Sequence, residues 1–134
     1  MISLEDKRNK KVGEYVVQFS KIMGNHNRRD NLYHTSFFTM FKRSIHVEEG
    51  PNIKEHIWFY FKNIKEANNF LSYCKTDFVR MCLILTKNCQ TVHLKTIPWM
   101  DFTQEWNDKK LYKHFNISQQ EQDFIKEVIP KYYD

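Results

Sequence analysis

The sequence has 134 residues, of which 16% are aromatic and 28% charged, with only three Gly and three Pro. That length fits one domain with a sizeable core, and the composition argues against a disordered chain or an all-β sandwich rich in tight turns. No apolar run reaches the roughly 18 residues of a membrane span, and the N-terminus lacks the apolar stretch of a signal peptide. We therefore expect a cytoplasmic protein that does not associate with a membrane, with its three cysteines reduced.

The net charge of +5 is distributed unevenly. Residues 1–43 hold nine Lys and Arg against four Asp and Glu, whereas residues 44–134 hold twelve of each. All of the excess positive charge therefore lies in the first third of the chain. A basic segment attached to a neutral body favours a partner that carries phosphate groups, although a solvated basic face has the same composition.

The N-terminal half predicts a leader followed by three strands. Residues 1–11 are polar and charged, which is typical of a frayed leader or of one helical turn. Aromatic and β-branched residues favour a strand from Val12 to near Ile22, a second over Tyr33–Val47, and a short buried strand over His56–Phe61.

The segment Asn63–Leu85 predicts a capped helix, or a helix pair that breaks near residues 75–77. Apolar residues spaced three and four apart form one face. The polar residues on the opposite face are Lys65, Asn69, Ser72, Thr76, Arg80 and Lys87. Arg80 lies within an apolar run. Because an unpaired buried charge is costly, we expect it to meet an acidic partner or helix carbonyls, and to serve the fold rather than to contact DNA.

The C-terminal segment predicts one short strand and two helices. Thr91–Leu94 favours the strand, and Asn107 or Asp108 can cap a short helix that runs to Phe115. Ser118 opens a capping box for the last helix. The inner face of that helix is predicted to consist of Phe124, Ile125 and Val128.

These elements predict a single α+β domain over residues 1–134. In this arrangement a small, mostly antiparallel sheet from the N-terminal half packs against the central helix and the two C-terminal helices.

The sequence holds no motif that predicts catalysis, a metal site or a cofactor. Its six histidines show no HxxH or HExxH spacing, and it has no CxxC, phosphate-binding loop or GxSxG. His26, Asn27 and His34 are similar to the pattern of a small metal-dependent nuclease. A nuclease is therefore an alternative function, and metal-dependent DNA cleavage would distinguish it from DNA binding alone.

The loop from Lys21 to Asn31 is the best candidate for a binding site. Its Gly, Asn and Asp residues favour turns, its arginines suit phosphate or the guanine edge, and its asparagines suit adenine. Two further basic residues lie near the end of the second predicted strand, where a fixed backbone suits phosphate contacts. The predicted DNA-binding residues are Lys21, Asn25, Asn27, Arg28, Arg29, Asn31, Lys42 and Arg43.

Residues 56–134 contain three sequence blocks in a fixed order. The first block is a K-T-x-F-V-R helix, the second a P-x-x-D-F link with a following W-N-D-x-x-L-Y, and the third an I-S-x-x-E-x-x-F-I helix. Their residues are Lys75, Thr76, Phe78, Val79, Arg80, Pro98, Asp101, Phe102, Trp106, Asp108, Leu111, Tyr112, Ile117, Ser118, Glu121, Phe124 and Ile125. In order and spacing, these blocks resemble the C-terminal, target-recognition region of bacterial type II restriction-modification adenine methyltransferases.

The resemblance implies recognition of double-stranded DNA, with methyl transfer performed elsewhere. The chain has no glycine-rich S-adenosylmethionine loop and no N/D-P-P-Y/F tetrapeptide, so it implies no methyltransferase activity and no cofactor. A methyltransferase or restriction catalytic subunit is the implied protein partner. The alternative is an interaction module, or a remnant, that binds and modulates such an enzyme.

Overall fold

The computed structural model describes residues 1–10, 13–20, 38–42, 56–86 and 94–129. These residues form an α+β fold, as predicted. The elements in chain order are α1 (Leu4–Lys7), β1 (Tyr15–Ser20), β2 (Phe38–Lys42), β3 (His56–Phe61), α2 (Ile64–Cys74), α3 (Asp77–Thr86), α4 (Asp108–His114) and α5 (Gln119–Val128).

The three strands form one antiparallel sheet in the order β2-β1-β3, with Val17 of β1 opposite Met40 on one side and Phe59 on the other. The strand predicted over His56–Phe61 is confirmed with those bounds. Its residues 57–61 are all buried, which is why the run is apolar throughout rather than alternating. Within the first two predicted strands, the described strand residues are Tyr15–Ser20, which residues 13 and 14 precede outside the strand, and Phe38–Lys42. Residues 12, 21, 22, 33–37 and 43–47 of these predictions lie outside the described residues.

Helix α2 packs on the sheet through an aromatic core. The Phe70 ring lies 4.8 Å from that of Phe59 and 5.1 Å from that of Phe61, and Trp99 and Phe102 complete the cluster. Phe59 and Phe70 are completely buried. Each such side chain contributes roughly 1.5–3 kcal/mol to folding by leaving water, so this cluster dominates the packing of the sheet.

The predicted break of the central helix is confirmed, because α2 ends at Cys74 and α3 begins at Asp77. On the predicted polar face, Lys65 and Ser72 are exposed, whereas Asn69 and Thr76 are buried. The Asn69 side-chain amide donates to the carbonyl of Phe102 at 2.9 Å, and the Thr76 hydroxyl donates to the carbonyl of Tyr73 at 2.7 Å. Buried polar groups with such partners are stable in a core.

The N-terminal residues form a helical turn that is docked on the body, not a frayed leader. Ser3 and Asp6 make a capping box around α1, and Leu4 is buried. The backbone N–H of Leu4 donates to the carbonyl of Ile97, and that of Trp99 donates to the carbonyl of Ile2, each at 2.8 Å. The first residues are thus tied to the segment that precedes α4.

The C-terminal helices begin at the predicted caps, Asn107 for α4 and Ser118 for α5. In the predicted inner face of α5, Ile125 is buried and Val128 is half-buried, but Phe124 is 55% exposed. The inward orientation predicted for Phe124 is therefore wrong. An amphipathic pattern identifies an apolar stripe, but it does not show whether a neighbouring element covers the stripe's full width.

Three further expectations meet the structure only in part. Residues 91–93 of the last predicted strand lie outside the described residues. Cys74 and Cys82 are thiols and form no disulfide. Among the described residues, no helix is both long and apolar enough to span a membrane.

The amide of Asn69 provides a test of the packing between α2 and the segment before α4. Asn69→Ala leaves the buried Phe102 carbonyl without its donor, which should lower the free energy of unfolding by roughly 1–3 kcal/mol. Asn68→Ala, at the neighbouring exposed position, is the matched control and should change it by less than about 0.5 kcal/mol. Urea unfolding measures both, and equal losses would contradict the structural role of Asn69.

Candidate nucleic-acid interface

Most of the predicted DNA-binding residues cannot be placed in the fold. Lys42 is the last residue of β2, where its backbone pairs with Tyr15. The others lie outside the described residues, and so does His26 of the nuclease alternative. The residues outside the described part are Lys21, Asn25, Asn27, Arg28, Arg29, Asn31 and Arg43.

A second basic surface, which the sequence reasoning missed, lies on α4. Four of the seven residues of this helix are Lys or His, at positions 109, 110, 113 and 114. Residues four apart lie on the same side of a helix, so Lys109 lies beside Lys113, and Lys110 beside His114. The K-K-x-x-K-H spacing around the buried Leu111 could have revealed this surface from the sequence.

Helix α4 is held in place by the carboxylate of Asp108, its first residue. One carboxylate oxygen accepts from the backbone N–H of Asp77 at 3.1 Å, and the other accepts from that of Phe78 at 2.9 Å. Asp108 thus binds two unpaired N–H groups at the start of α3 and interacts favourably with the positive end of its dipole. We call this contact between α4 and the start of α3 the Asp108 junction. Beside it the rings of Phe78 and Phe115 stack with their centres 5.2 Å apart.

Arg80 lies beneath the same junction and is 1% exposed. Its Nη1 atom lies 3.6 Å from a carboxylate oxygen of Asp77, which confirms the predicted acidic partner and the role in the fold. Burial, and then the nearby Asp108 carboxylate, raise the pKa of Asp77, while the Arg80 guanidinium opposes this rise. Burial and the carboxylates of Asp108 and Asp77 also raise the pKa of Tyr112, whose hydroxyl donates to Asp108.

On one side of α4 lies a groove floored by tryptophan rings, which we call the tryptophan groove. It is lined by Trp99, Met100, Asp101, Gln104, Trp106, Lys110, Lys113 and His114. The Lys110 ammonium lies 4.7 Å from the centre of the Trp106 ring, and it donates to the Gln104 side chain at 2.8 Å and to the Glu105 carbonyl. Hydrogen bonds from Thr103 lower the pKa of Asp101. The tryptophan groove therefore holds the negative charge of Asp101 as well as the positive charges of Lys110 and Lys113.

On the other side of α4 lies a groove whose polar lining consists of hydrogen-bond donors and amides, which we call the lysine groove. It has two lysines, a phenol and two side-chain amides around one apolar residue, and no carboxylate side chain among its described lining residues. These residues are Lys109, Tyr112, Lys113, Asn116, Ile117 and Gln122. The Tyr112 hydroxyl donates to the Asp108 carboxylate, which does not line the groove. The ammonium and amide donors that remain suit an anionic ligand, and phosphate above all.

The lysines of this groove are available to a ligand. Lys109 and Lys113 are exposed, and no ion pair or hydrogen bond of either side chain occurs within the described part of the chain. Lys110, in contrast, is engaged by Gln104 and Glu105. Asn116, at the end of the groove, has a φ of 53°. This left-handed conformation, which Asn tolerates better than most residues, turns the chain sharply between α4 and α5.

Within the described ranges, no three His, Cys, Asp or Glu side chains come together in a way that could hold a metal ion. Comparisons with protein-family models, with curated proteins and with solved structures give no match. The site is therefore interpreted from its own geometry.

The Asp108 cap provides a test of how α4 is positioned. Asp108→Ala removes the acceptor of two backbone N–H groups, so the free energy of unfolding should fall by roughly 1–3 kcal/mol. Asp123→Ala is the matched control, because Asp123 is an exposed α5 carboxylate that accepts only from Gln119 among the described residues. Thermal melts of both variants measure the difference. A loss at position 108 no larger than at position 123 would contradict the proposed cap.

Proposed function

We propose that this chain is a non-catalytic domain that binds double-stranded DNA and recognises a target for a catalytic partner. The observation that carries the proposal is the lysine groove, where Lys109 and Lys113 project from a rigidly held helix beside two side-chain amides and no carboxylate. The basic first third of the chain provides independent support from the sequence.

The lysines of α4 are suited to contacts with the DNA backbone. Lys109 and Lys113 are one helical turn apart, which places them roughly 6 Å from each other along the axis. Two ammonium groups in this arrangement can neutralise neighbouring phosphates, and release of the counterions that those phosphates held would favour binding. The amides of Asn116 and Gln122 line the same groove. The Gln122 amide donates one hydrogen bond to the Ile117 carbonyl at 3.0 Å, so its second N–H and the Asn116 amide can bind phosphate oxygens.

Base recognition is assigned, as a proposal from the sequence, to the loop from Lys21 to Asn31. Contacts with phosphates fix the position of a protein on DNA, whereas hydrogen bonds to base edges provide sequence preference. In this division of labour α4 contributes phosphate contacts, and Arg28, Arg29 and the loop asparagines contribute base contacts.

The resemblance to the target-recognition region of restriction-modification adenine methyltransferases agrees with this role. It implies a bacterial, cytoplasmic setting and a separate catalytic subunit as protein partner. The proposal assigns no cofactor to this chain.

A second candidate function is an interaction module that binds and modulates such an enzyme. One observation favours it, namely the exposed ring of Phe124 in a helix that otherwise follows its predicted amphipathic pattern. The two functions are compatible, because the phosphate contacts and the exposed ring involve different side chains.

Titrations of duplex DNA at several salt concentrations test the proposed function. Binding should weaken steeply as salt rises, with a slope of about −0.9 for each phosphate contact. The variant with both Lys109→Ala and Lys113→Ala should lower this slope by about two, because two contacts are lost. Lys65→Ala, an exposed lysine of α2, is the control and should leave it unchanged.

If the wild-type chain does not bind duplex DNA at low salt, the proposed function is wrong. If it binds but the double variant retains the wild-type slope, DNA is bound elsewhere and the lysine groove is not part of the interface.

Positioning and base recognition can be separated with a selected site and a scrambled duplex. Lys42→Ala should weaken binding to both duplexes equally, because a phosphate contact has no sequence preference. Arg28→Ala or Arg29→Ala should weaken binding to the selected site by about 1–3 kcal/mol more than binding to the scrambled one. Parallel fluorescence titrations measure the difference. Equal losses for every variant would leave the loop with no role in specificity.

A further inference from the structure

Helix α5 carries an apolar groove that no described element of the fold covers. Its lining combines one residue of α3, the residue before the α5 cap, and one side of α5. These residues are Met81, Ile117, Gln120, Glu121, Phe124 and Ile125. Met81 and Ile125 are buried and form the floor, and Phe124 stands at the edge with 55% of its surface exposed. An aromatic ring at the edge of an apolar groove is the kind of feature that anchors a protein partner.

Carboxylates flank this ring along the helix. Glu121 lies three residues before Phe124 and Glu127 lies three residues after it, so both fall on the same side of the helix as the ring. Both are exposed. Helix α5 as a whole holds three acidic residues and one lysine. The margin of the groove that α5 forms is therefore negative, although the chain has a net charge of +5.

The charge of Glu121 is maintained by its role in the cap. Its carboxylate accepts from the backbone N–H of Ser118 at 2.9 Å, and the Ser118 hydroxyl accepts from the Glu121 N–H at 3.1 Å. Hydrogen bonds from Ser118 lower the pKa of Glu121. The carboxylate therefore stays ionised at neutral pH while it remains at the edge of the groove.

This charge pattern disfavours two of the possible occupants. DNA phosphates would be repelled by the carboxylates of Glu121 and Glu127. A second copy of the chain that placed α5 against α5 about a two-fold axis would bring the same carboxylates together, and like charges at an interface are costly. A segment that combines apolar and basic side chains meets neither objection.

We propose that this groove, formed by Met81, Ile117, Phe124 and Ile125 with Glu121 and Glu127 at its margin, binds an amphipathic helix of a partner protein whose apolar face is bordered by Lys or Arg. Phe124 is the anchor, and its ring packs between apolar side chains of the partner helix. The carboxylates select the partner by charge. An amphipathic helix that lays its apolar face in such a groove is a common mode of recognition.

The probe is a labelled synthetic helix with leucine at positions i, i+3, i+4 and i+7 and lysine at the bordering positions. Its twin has glutamate in place of every lysine. Because the whole chain is positively charged, non-specific attraction would favour the glutamate twin. Saturable binding of the lysine peptide to the full chain, tighter than that of the twin at roughly 0.15 M salt, therefore reports the local charge of the groove.

The central variant is Phe124→Ser, which should weaken binding of the lysine peptide by about tenfold or more, as expected for an anchor residue. Ile64→Ser is the matched control, because Ile64 is 50% exposed but lies on α2 and does not line the groove. It should leave the affinity unchanged. Glu127→Gln should weaken binding about two- to fivefold, since it removes one charge at the margin.

Three results would overturn the proposal. The first is no saturable binding of the lysine peptide, or equal binding of its twin. The second is equal affinity for wild type and Phe124→Ser, with unchanged thermal melts showing that both are folded. The third is a dimer of the chain in sedimentation that disappears in Phe124→Ser, which would make a second copy the occupant. Phe124→Ser should bind DNA as wild type does, so failure of this proposal is distinguishable from failure of the proposed function.

Discussion

The carboxylate of Asp108 is the interaction on which the arrangement of the C-terminal helices depends. It begins α4 and at the same time accepts two backbone hydrogen bonds from the start of α3, from residues 30 and 31 positions earlier in the chain. Arg80 and Asp77 place an ion pair directly beside it. Because α3 also contacts α5, through the cluster of Met81, Ile125 and Ile129, α3 links both C-terminal helices to the aromatic core.

The groove beside α4 and the groove on α5 differ in charge. The difference follows from the way α4 is packed. With Leu111 directed into the core, the lysines of α4 must face outward, and Lys109 and Lys113 come together at a groove without carboxylates. The next helix exposes Phe124 between two carboxylates. The two grooves meet at Ile117, which lines both. A positive surface for phosphate and a negative one for a protein helix can thus lie side by side, each repelling the ligand of the other.

Local signals were enough to predict the helix caps, the third strand and the break in the central helix. The caps at Asn63, Asn107 and Ser118 depend on residues within one helical turn, so the sequence displays them directly. Short runs of neighbouring residues likewise predict the buried strand over His56–Phe61 and the break after Cys74. The acidic partner of Arg80 lies only three residues away.

The errors concern contacts between elements that are distant in the sequence. Asn69 can be buried because its amide donates a hydrogen bond to the Phe102 carbonyl. Phe124 is exposed because no described element covers that side of α5. Neither fact can be obtained from periodicity alone. The long-range cap of Asp108 and the grouping of the α4 lysines depend on tertiary contacts in the same way. The role of the loop from Lys21 to Asn31 stays a prediction.

Nuclear magnetic resonance during titration with a short DNA duplex tests most directly whether the lysine groove binds phosphate. The side-chain amides of Asn116 and Gln122 line the lysine groove, and their signals report binding there. The side-chain amides of Asn63 and Asn68, in the first half of α2 and its cap, provide the internal control signals. Binding through the lysine groove predicts that the signals of residues 116 and 122 shift as the duplex saturates the protein, while the control signals do not. Saturable binding that leaves the signals of Asn116 and Gln122 unmoved would contradict a DNA interface on α4.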